Sequence, residues 1–272
     1  MRMSELERIR EIAAEAGTDS QPGALREVLK IAAMRRKREI DCEIHERFAG
    51  VVQHGPFAGL RLPYQVVWGC GDFSSEILGV YEEELHGKVE AVVARGYATV
   101  IDVGCAEGYY AVGLARRMPE ARVIAFDVNP EARRVCGWTA RENGVEDRLD
   151  IRGACDRAAL TDAIREGRER GEVFLLVDCE GAEKDLLDPD AMPELKDCDL
   201  IIECHDLLDR AISPTLRQRF APSHEVATVI EGPRDPNRFD FLQAYSSLDR
   251  AIALCEFRGE MMQWLVCRRR HA

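Results

Sequence analysis

Two apolar runs in this chain end on residues that could do chemistry. "LLVDCE" closes on Asp178 and Glu180, and "LIIECH" closes on Glu203 and His205. Alternate residues of an extended strand share a face, so Asp178 goes with Glu180 and Glu203 with His205. If the two runs lie side by side, four polar groups converge. Two readings of such a cluster stand. In one, His205 or a carboxylate (Asp178 or Glu180) is a general base that takes a proton from a hydroxyl. In the other, Asp178, Glu203 and His205 hold a divalent cation that lowers the pKa of that hydroxyl. Glu183 has a plainer reading, as an acid stabilising the first turn of the next helix.

A second constellation lies upstream. "VIDVGCAEGYY" runs from Val100 to Tyr110 and contains D-x-G-x-x-x-G. Gly104 and Gly108 allow positive φ and let backbone approach a ligand closely, and Ala106 between them is small. "FDVNP" then places Asp127 and Val128 at the end of the following apolar run, where a carboxylate can accept both hydroxyls of an adenosine ribose. A dinucleotide would need G-x-G-x-x-G, with its pyrophosphate on a helix N-terminus, and Glu107 would repel that group. S-adenosyl-L-methionine has no phosphate and carries a positive sulfonium and ammonium, which Asp102 suits. It is therefore the expected cofactor, with Cys105 and Ala106 in the loop and Tyr109 beside the methionine part. A nucleotide-binding oxidoreductase is opposed by the missing glycine pattern. A non-catalytic binding module is opposed by the polar cluster.

The loop resembles the D-x-G-A-x-x-G-Y-Y segment of FkbM-type methyltransferases, a class I S-adenosylmethionine-dependent family. "FDVNP" is similar to that family's acid-x-N-P segment, "LLVDCEGAEKDLL" to its D-x-E-G-A-E segment, and "LIIECHD" to its strand ending in Glu-x-His. The resemblance covers about residues 78–232. Cys105 departs from the family's usual alanine, and the first 75 residues find no counterpart. The resemblance implies a Rossmann-like class I fold, methyl transfer to a small molecule, and oxygen as the acceptor atom in a natural product or sugar. Nitrogen is the alternative. It also implies that Asp156, after "IRGAC", helps recognise adenine.

These residues need a scaffold. From Tyr97 the chain alternates apolar strands with amphipathic helices: "ATVIDVG", "RVIAFDV", "LDIRGA", "VFLLVDCE" and "CDLIIECHD", each followed by a helical stretch, then "HEVATVIEG" and "MQWLVCRRR". Near-continuous apolar strands separated by helices predict a mostly parallel seven-stranded sheet with helices on both faces. The last two strands are candidates for an antiparallel edge. "EKDLLDPDAMPEL" and "SSEILGVYEEELHGKVEAVVARG" each predict a helical region. Residues 1–75 form a helical N-terminal extension, capped at Ser4, restarting at Pro22-Gly23 and ending in a short hairpin over "GVVQHGPFAGLRLP". Residues 76–272 form the cofactor-binding domain. The "RRKRE" run is expected as a solvated helix face.

The formal net charge of -12 argues against binding to a nucleic-acid backbone. No apolar run has membrane-spanning length, and no signal-peptide pattern opens the chain, so no membrane partner and a cytoplasmic location are expected. Ten cysteines lack any C-x-x-C pair and mostly sit in apolar runs, as buried thiols of a reducing compartment do. The N-terminal helices are candidates for self-association into a homo-oligomer. His54 is a candidate lid residue, and Arg234 with Arg238 a candidate anion-holding loop.

Overall fold

The computed structural model describes residues 24–64 and 72–270, with the helical positions Glu7, Arg10, Glu11 and Ala14. Ser4, Pro22-Gly23, Cys70 and most of the first predicted helix lie outside the described residues.

The strands are β1 (Thr99–Val103), β2 (Arg122–Phe126), β3 (Leu149–Arg152), β4 (Val173–Val177), β5 (Asp199–Cys204), β6 (His224–Ile230) and β7 (Gln263–Arg269). They form one sheet in the order β3-β2-β1-β4-β5-β7-β6. Strands β1 to β5 pair in parallel, and β7 runs antiparallel to both β5 and β6. This is the Rossmann-like class I methyltransferase fold, with the expected antiparallel edge. The order reverses between β1 and β4, and ligands of open α/β sheets bind beyond the strand ends at such a switch.

Alternation along the strands separates two cores. Val100, Leu176, Ile201 and Trp264 pack on one face, and Ile101, Leu175, Ile202 and Leu265 on the other. Each fully buried aliphatic side chain contributes roughly 1.5–3 kcal/mol. The alternation also has a consequence for polar residues. Asp102 and Glu203 fall on the face of Val100 and Ile201, and Asp178 continues the same side just past β4.

Helices α1 (Ala24–Phe48), α2 (Phe73–Leu78) and α3 (His86–Arg95) precede the sheet. α4 (Tyr109–Arg117), α5 (Pro130–Glu142), α6 (Arg157–Arg168), α7 (Glu183–Leu186) and α8 (Ile212–Phe220) follow successive strands, and α9 (Ser247–Ala253) lies in the long connection from β6 to β7. Asn129 starts α5 by accepting the Glu131 amide at 2.9 Å, with Pro130 in the first turn. The helical region before β1 is broken in two. Gly79 takes a left-handed φ of 71° at the end of α2, and a Cβ there would lie 2.1 Å from the His54 carbonyl oxygen. The helix expected over "EKDLLDPDAMPEL" shrinks to the four residues of α7 and a 3-10 turn at Pro193–Asp197. Pro189 ends it, because proline lacks the amide and disfavours helical backbone at the residue before it.

Residues 24–64 do not stand apart from the sheet. Ile40, Ile44, Val52, Phe57 and Leu60 belong to the same hydrophobic cluster as Val100 and Trp264. Within "RRKRE", Lys37 is fully buried rather than solvated. Its Nζ donates to Ser74 Oγ at 2.5 Å and to the Ala253 carbonyl at 2.8 Å, and lies 3.6 Å from Asp41. A buried ammonium needs such partners, and they tie α1 to α2 and α9. Residues 50–62 close on a single antiparallel bridge, Val51 to Arg61, in place of paired strands. The extension thereby brings α2 against the carboxyl end of the sheet. Among the described residues no helix is long and apolar enough to cross a membrane, and the nine described cysteines are free thiols.

Candidate active site

A cavity of about 500 Å³ opens at the carboxyl ends of β1, β2, β4 and β5. A smaller chamber of about 50 Å³ continues it inward beneath the β1 loop.

The loop is shaped by contact. Gly104 has φ 97° and Gly108 has φ 95°, both left-handed. A Cβ on Gly104 would lie 1.7 Å from the Asp178 carbonyl oxygen, so only glycine lets β1 and β4 close at this point. Ala106 also has a positive φ of 44°. Its amide donates to Asp127 Oδ2 at 2.9 Å, while the Asn129 amide donates to Oδ1 at 2.8 Å. Asp127 thus locks the loop to the end of β2. Val128 beside it is 65% exposed on the cavity wall, an apolar surface open to a flat ring.

The remaining loop residues sit behind this surface. Asp102, Cys105 and Tyr109 line the inner chamber. Asp102 is 1% exposed, and its Oδ2 has no hydrogen-bond partner. Burial, with the nearby Asp127 charge, raises its carboxyl to about 7. Gly108 starts α4, where a Cβ would press on Cys136 and Val112 at 3.0 Å. Asp156 stands at the start of α6, next to the cavity wall. It accepts the Ala159 amide at 2.8 Å as the cap of α6, and its neighbour Cys155 lines the wall in its place. The residues before a helix compete for its free amides, and the family's spacing could not show which won.

The second constellation converges as its strands require. His205 Nε2 lies 3.6 Å from Asp178 Oδ1 and 3.5 Å from Glu180 Oε2. Glu180 reaches inward from a left-handed turn with φ 52°, past the end of β4, and not as a strand neighbour of Asp178. His205 Nδ1 bonds Glu183 Oε1 at 2.7 Å. Glu183 was expected only to stabilise a helix turn. It is fully buried and also accepts the Gly181 amide at 3.0 Å. Burial alone would lower the His205 pKa, but the Glu183 bond and the surrounding carboxylates hold it above its ordinary value. The same pairing pulls Glu183 below its own, against the opposing effect of burial. An imidazole whose Nδ1 is so bonded presents Nε2 to the cavity.

Asp178, Glu203 and His205 each bring a donor atom within 4.8 Å of the others, the spacing a cation would need. The donor set fits one poorly. Glu203 Oε1 accepts from Arg258 at 2.5 Å and Oε2 from Trp264 Nε1 at 3.3 Å. A guanidinium directly on one ligand opposes a dication there, so no step is routed through a metal.

Arg258 itself was not legible as a site residue. It reaches the cavity from the β6–β7 connection and also bonds Glu82 at 2.8 Å and Glu256 at 3.0 Å. Its ring contacts are Trp264 at 5.2 Å and Tyr81 at 5.8 Å. Glu82 and Glu256 come from segments whose sequence offers only ordinary surface acids. Burial raises Glu82 to about 7, with the Glu203 charge adding to it. Burial raises Asp178 well above the carboxylate range, and Glu203 adds to that. Asp72, Glu76 and Glu107 complete the acidic wall. Arg234 is no open anion site: it is 8% exposed and bonds Glu84 at 2.6 Å and Glu256 at 2.7 Å. Arg238 pairs with Glu83. His54 is exposed and lies against Phe239 at 5.8 Å, off the cavity.

A family model described as O-methyltransferase matches residues 89–185. The release factor glutamine methyltransferase of Cereibacter sphaeroides is 41% identical over 69 residues, 25% of this chain and 25% of that protein. The ribosomal protein L11 methyltransferase of Alteromonas mediterranea is 43% identical over 53 residues, 20% of this chain and 18% of that protein. The chain thus spans a quarter or less of the length of these curated relatives. Among solved structures, the O-methyltransferase from Bacillus cereus in complex with SAH aligns with a TM-score of 0.45 at 12% identity, over 85% of this chain and 91% of that one. The O-methyltransferase TomG from Streptomyces achromogenes, in complex with SAM, aligns with a TM-score of 0.45 at 12% identity over 85% and 89%.

Proposed function

We propose that this chain is an S-adenosyl-L-methionine-dependent methyltransferase that methylates an oxygen of a small molecule. One observation carries the reading: a single acid-walled cavity joins the Asp127-locked glycine loop to an imidazole held by Glu183. The O-methyltransferase model over residues 89–185 supports the same reaction class. FkbM-type is the finer branch we favour, on "DCEGAE" and "ECHD".

Asp127 and Val128 would hold the adenosine, and Asp102, Gly104 and the loop backbone the methionine part. When bound, the cofactor supplies an electrophilic methyl at a sulfonium, open to in-line displacement. The chain's contribution is to position the acceptor and remove its proton. Fixing two reactants in line supplies about 7–11 kcal/mol in well-oriented systems. His205 is the base, with Nε2 facing the cavity and the new charge stabilised by Glu183 through Nδ1. Asp178 and Glu180 hold the acceptor beside it. The base works only when neutral, so the rate rises with pH through a His205 pKa above the ordinary imidazole value.

Calorimetry with S-adenosylmethionine, S-adenosylhomocysteine and NAD tests the reading. Binding of the first two with no heat from NAD is expected. NAD binding without either adenosyl ligand overturns it. Asp127→Ala should weaken S-adenosylhomocysteine about tenfold or more, the size of one lost charged hydrogen bond.

A further inference from the structure

The acid on the cavity walls exceeds what the cofactor can use. Among the described residues, the only cationic side chains lining the cavity and its inner chamber are Arg258 and His205. Both are committed, Arg258 to Glu82, Glu203 and Glu256 and His205 to Glu183.

The cofactor's own positive groups have a separate seat. In the inner chamber, Asp102 Oδ2 and the Tyr109 hydroxyl are buried without a partner, in residues 1% and 4% exposed. Two buried polar atoms left so would be costly without a ligand to meet them. They face the side of the loop where the reading above puts the methionine part.

That leaves Asp178 and Glu180 at the other end. Asp178 Oδ1 has no hydrogen-bond partner. Glu180 has a 68% exposed side chain and pairs with His205 at 3.5 Å. Its φ of 52° is a strained conformation for a non-glycine residue, and the residue lines the cavity. Leu207 and Leu208, 52% and 62% exposed, form an apolar rim beside this pair.

We infer that the methyl acceptor carries a protonated amine seated between Asp178 and Glu180, with an apolar body against Leu207 and Leu208. The inference rests on the methyltransferase reading and names its substrate class. An acceptor bearing a phosphate or carboxylate would meet repelling acids and no uncommitted cation among the described residues. Both carboxyl groups stand within 3.6 Å of His205 Nε2 at this end of the cavity, and an ammonium seated there favours the ionised form of Asp178 as well as pairing with Glu180.

The test uses the full chain loaded with S-adenosylhomocysteine and three matched probes: tyramine, its neutral alcohol analogue tyrosol, and 4-hydroxyphenylacetate. Calorimetry should give tyramine at least tenfold tighter than tyrosol, with the acid weakest. Glu180→Gln, a change at an exposed side chain, should erase most of that preference while leaving S-adenosylhomocysteine affinity within twofold. If S-adenosylhomocysteine binds but tyramine binds no better than tyrosol, or none of the three binds, the amine inference is overturned alone. If S-adenosylhomocysteine itself fails to bind, the methyltransferase reading falls and takes the inference with it.

Discussion

The two ends of the cavity are built by different means. At the β1–β2 end, Asp127 is held by the amides of Ala106 and Asn129, and the glycines bend the chain against its own backbone. At the β4–β5 end, Glu203 is held by Arg258 and Trp264, and Arg258 by Glu82 and Glu256, all side chains from other segments. Bonds and contacts made to backbone set the first end. Long-range charge pairs, taken out of water, set the second. The first should tolerate salt and fail by steric change. The second should be sensitive to the loss of any one charge.

The largest effect expected from this contrast is at Arg258. Arg258→Met removes the counter-charge of three buried or nearly buried acids, and breaking one side of a buried charge network costs about 3–5 kcal/mol. Thermal unfolding should show it, with partial recovery when Glu203→Gln is added. If the variant melts with the wild type, the second end is not held by charge.

Next in size is Gly104→Ala, at the backbone-built end. Overpacking plus a left-handed φ should destabilise by about 3 kcal/mol. The Asp178 carbonyl would have to move, so S-adenosylhomocysteine binding should fall with it. Unchanged melting and affinity would mean the loop is not built by contact.

The pH dependence of stability is smaller and has a definite sign. Burial holds Asp102 at about 7 in the fold, while in the unfolded chain it titrates in the ordinary aspartate range. Between those values the folded state binds a proton that the unfolded state has released, so its contribution to stability is full below the window and is lost as pH rises through it. Relative to Asp102→Asn, the wild type should lose about 1.4 kcal/mol for each pH unit in that window. A difference between the two that stays flat with pH removes Asp102 as a buried proton carrier.

The smallest effect concerns the Glu183–His205 pair. Glu183→Gln keeps an acceptor oxygen but removes the negative charge that helps raise His205, so the imidazole resonances followed by NMR should titrate at lower pH. No movement would mean that the Asp178 and Glu180 charges, not Glu183, hold the proton.

The β1–β2 end was largely readable from residue order, because glycines in a strand-to-helix loop and an acid closing the next apolar run are conspicuous in the sequence. The Asn129-Pro130 start of α5 acts on backbone nearby, whereas what Gly104 and Asp127 close upon lies in other segments. Reading failed where one local signal overrode another, as at Pro189, which cuts short the helix after β4. At the other end, Asp178, Glu180 and His205 could be picked out because polar residues closing apolar strands are conspicuous. Their partners could not. Glu183 looks like a helix acid, and Glu82, Glu256 and Arg258 look like surface charges.

The sequence by itself determined the strand–helix alternation, the seven strands, the glycine loop and the polar residues at two strand ends, since each follows from periodicity or from backbone chemistry within a short stretch. The tertiary structure decided which charges meet. Pairing β7 between β5 and β6 carries Arg258 to Glu203, and burying Lys37 on Ser74 draws α2 and its acids over the sheet edge. Such pairings depend on closure of loops whose ends lie far apart in the chain, and no local pattern encodes them.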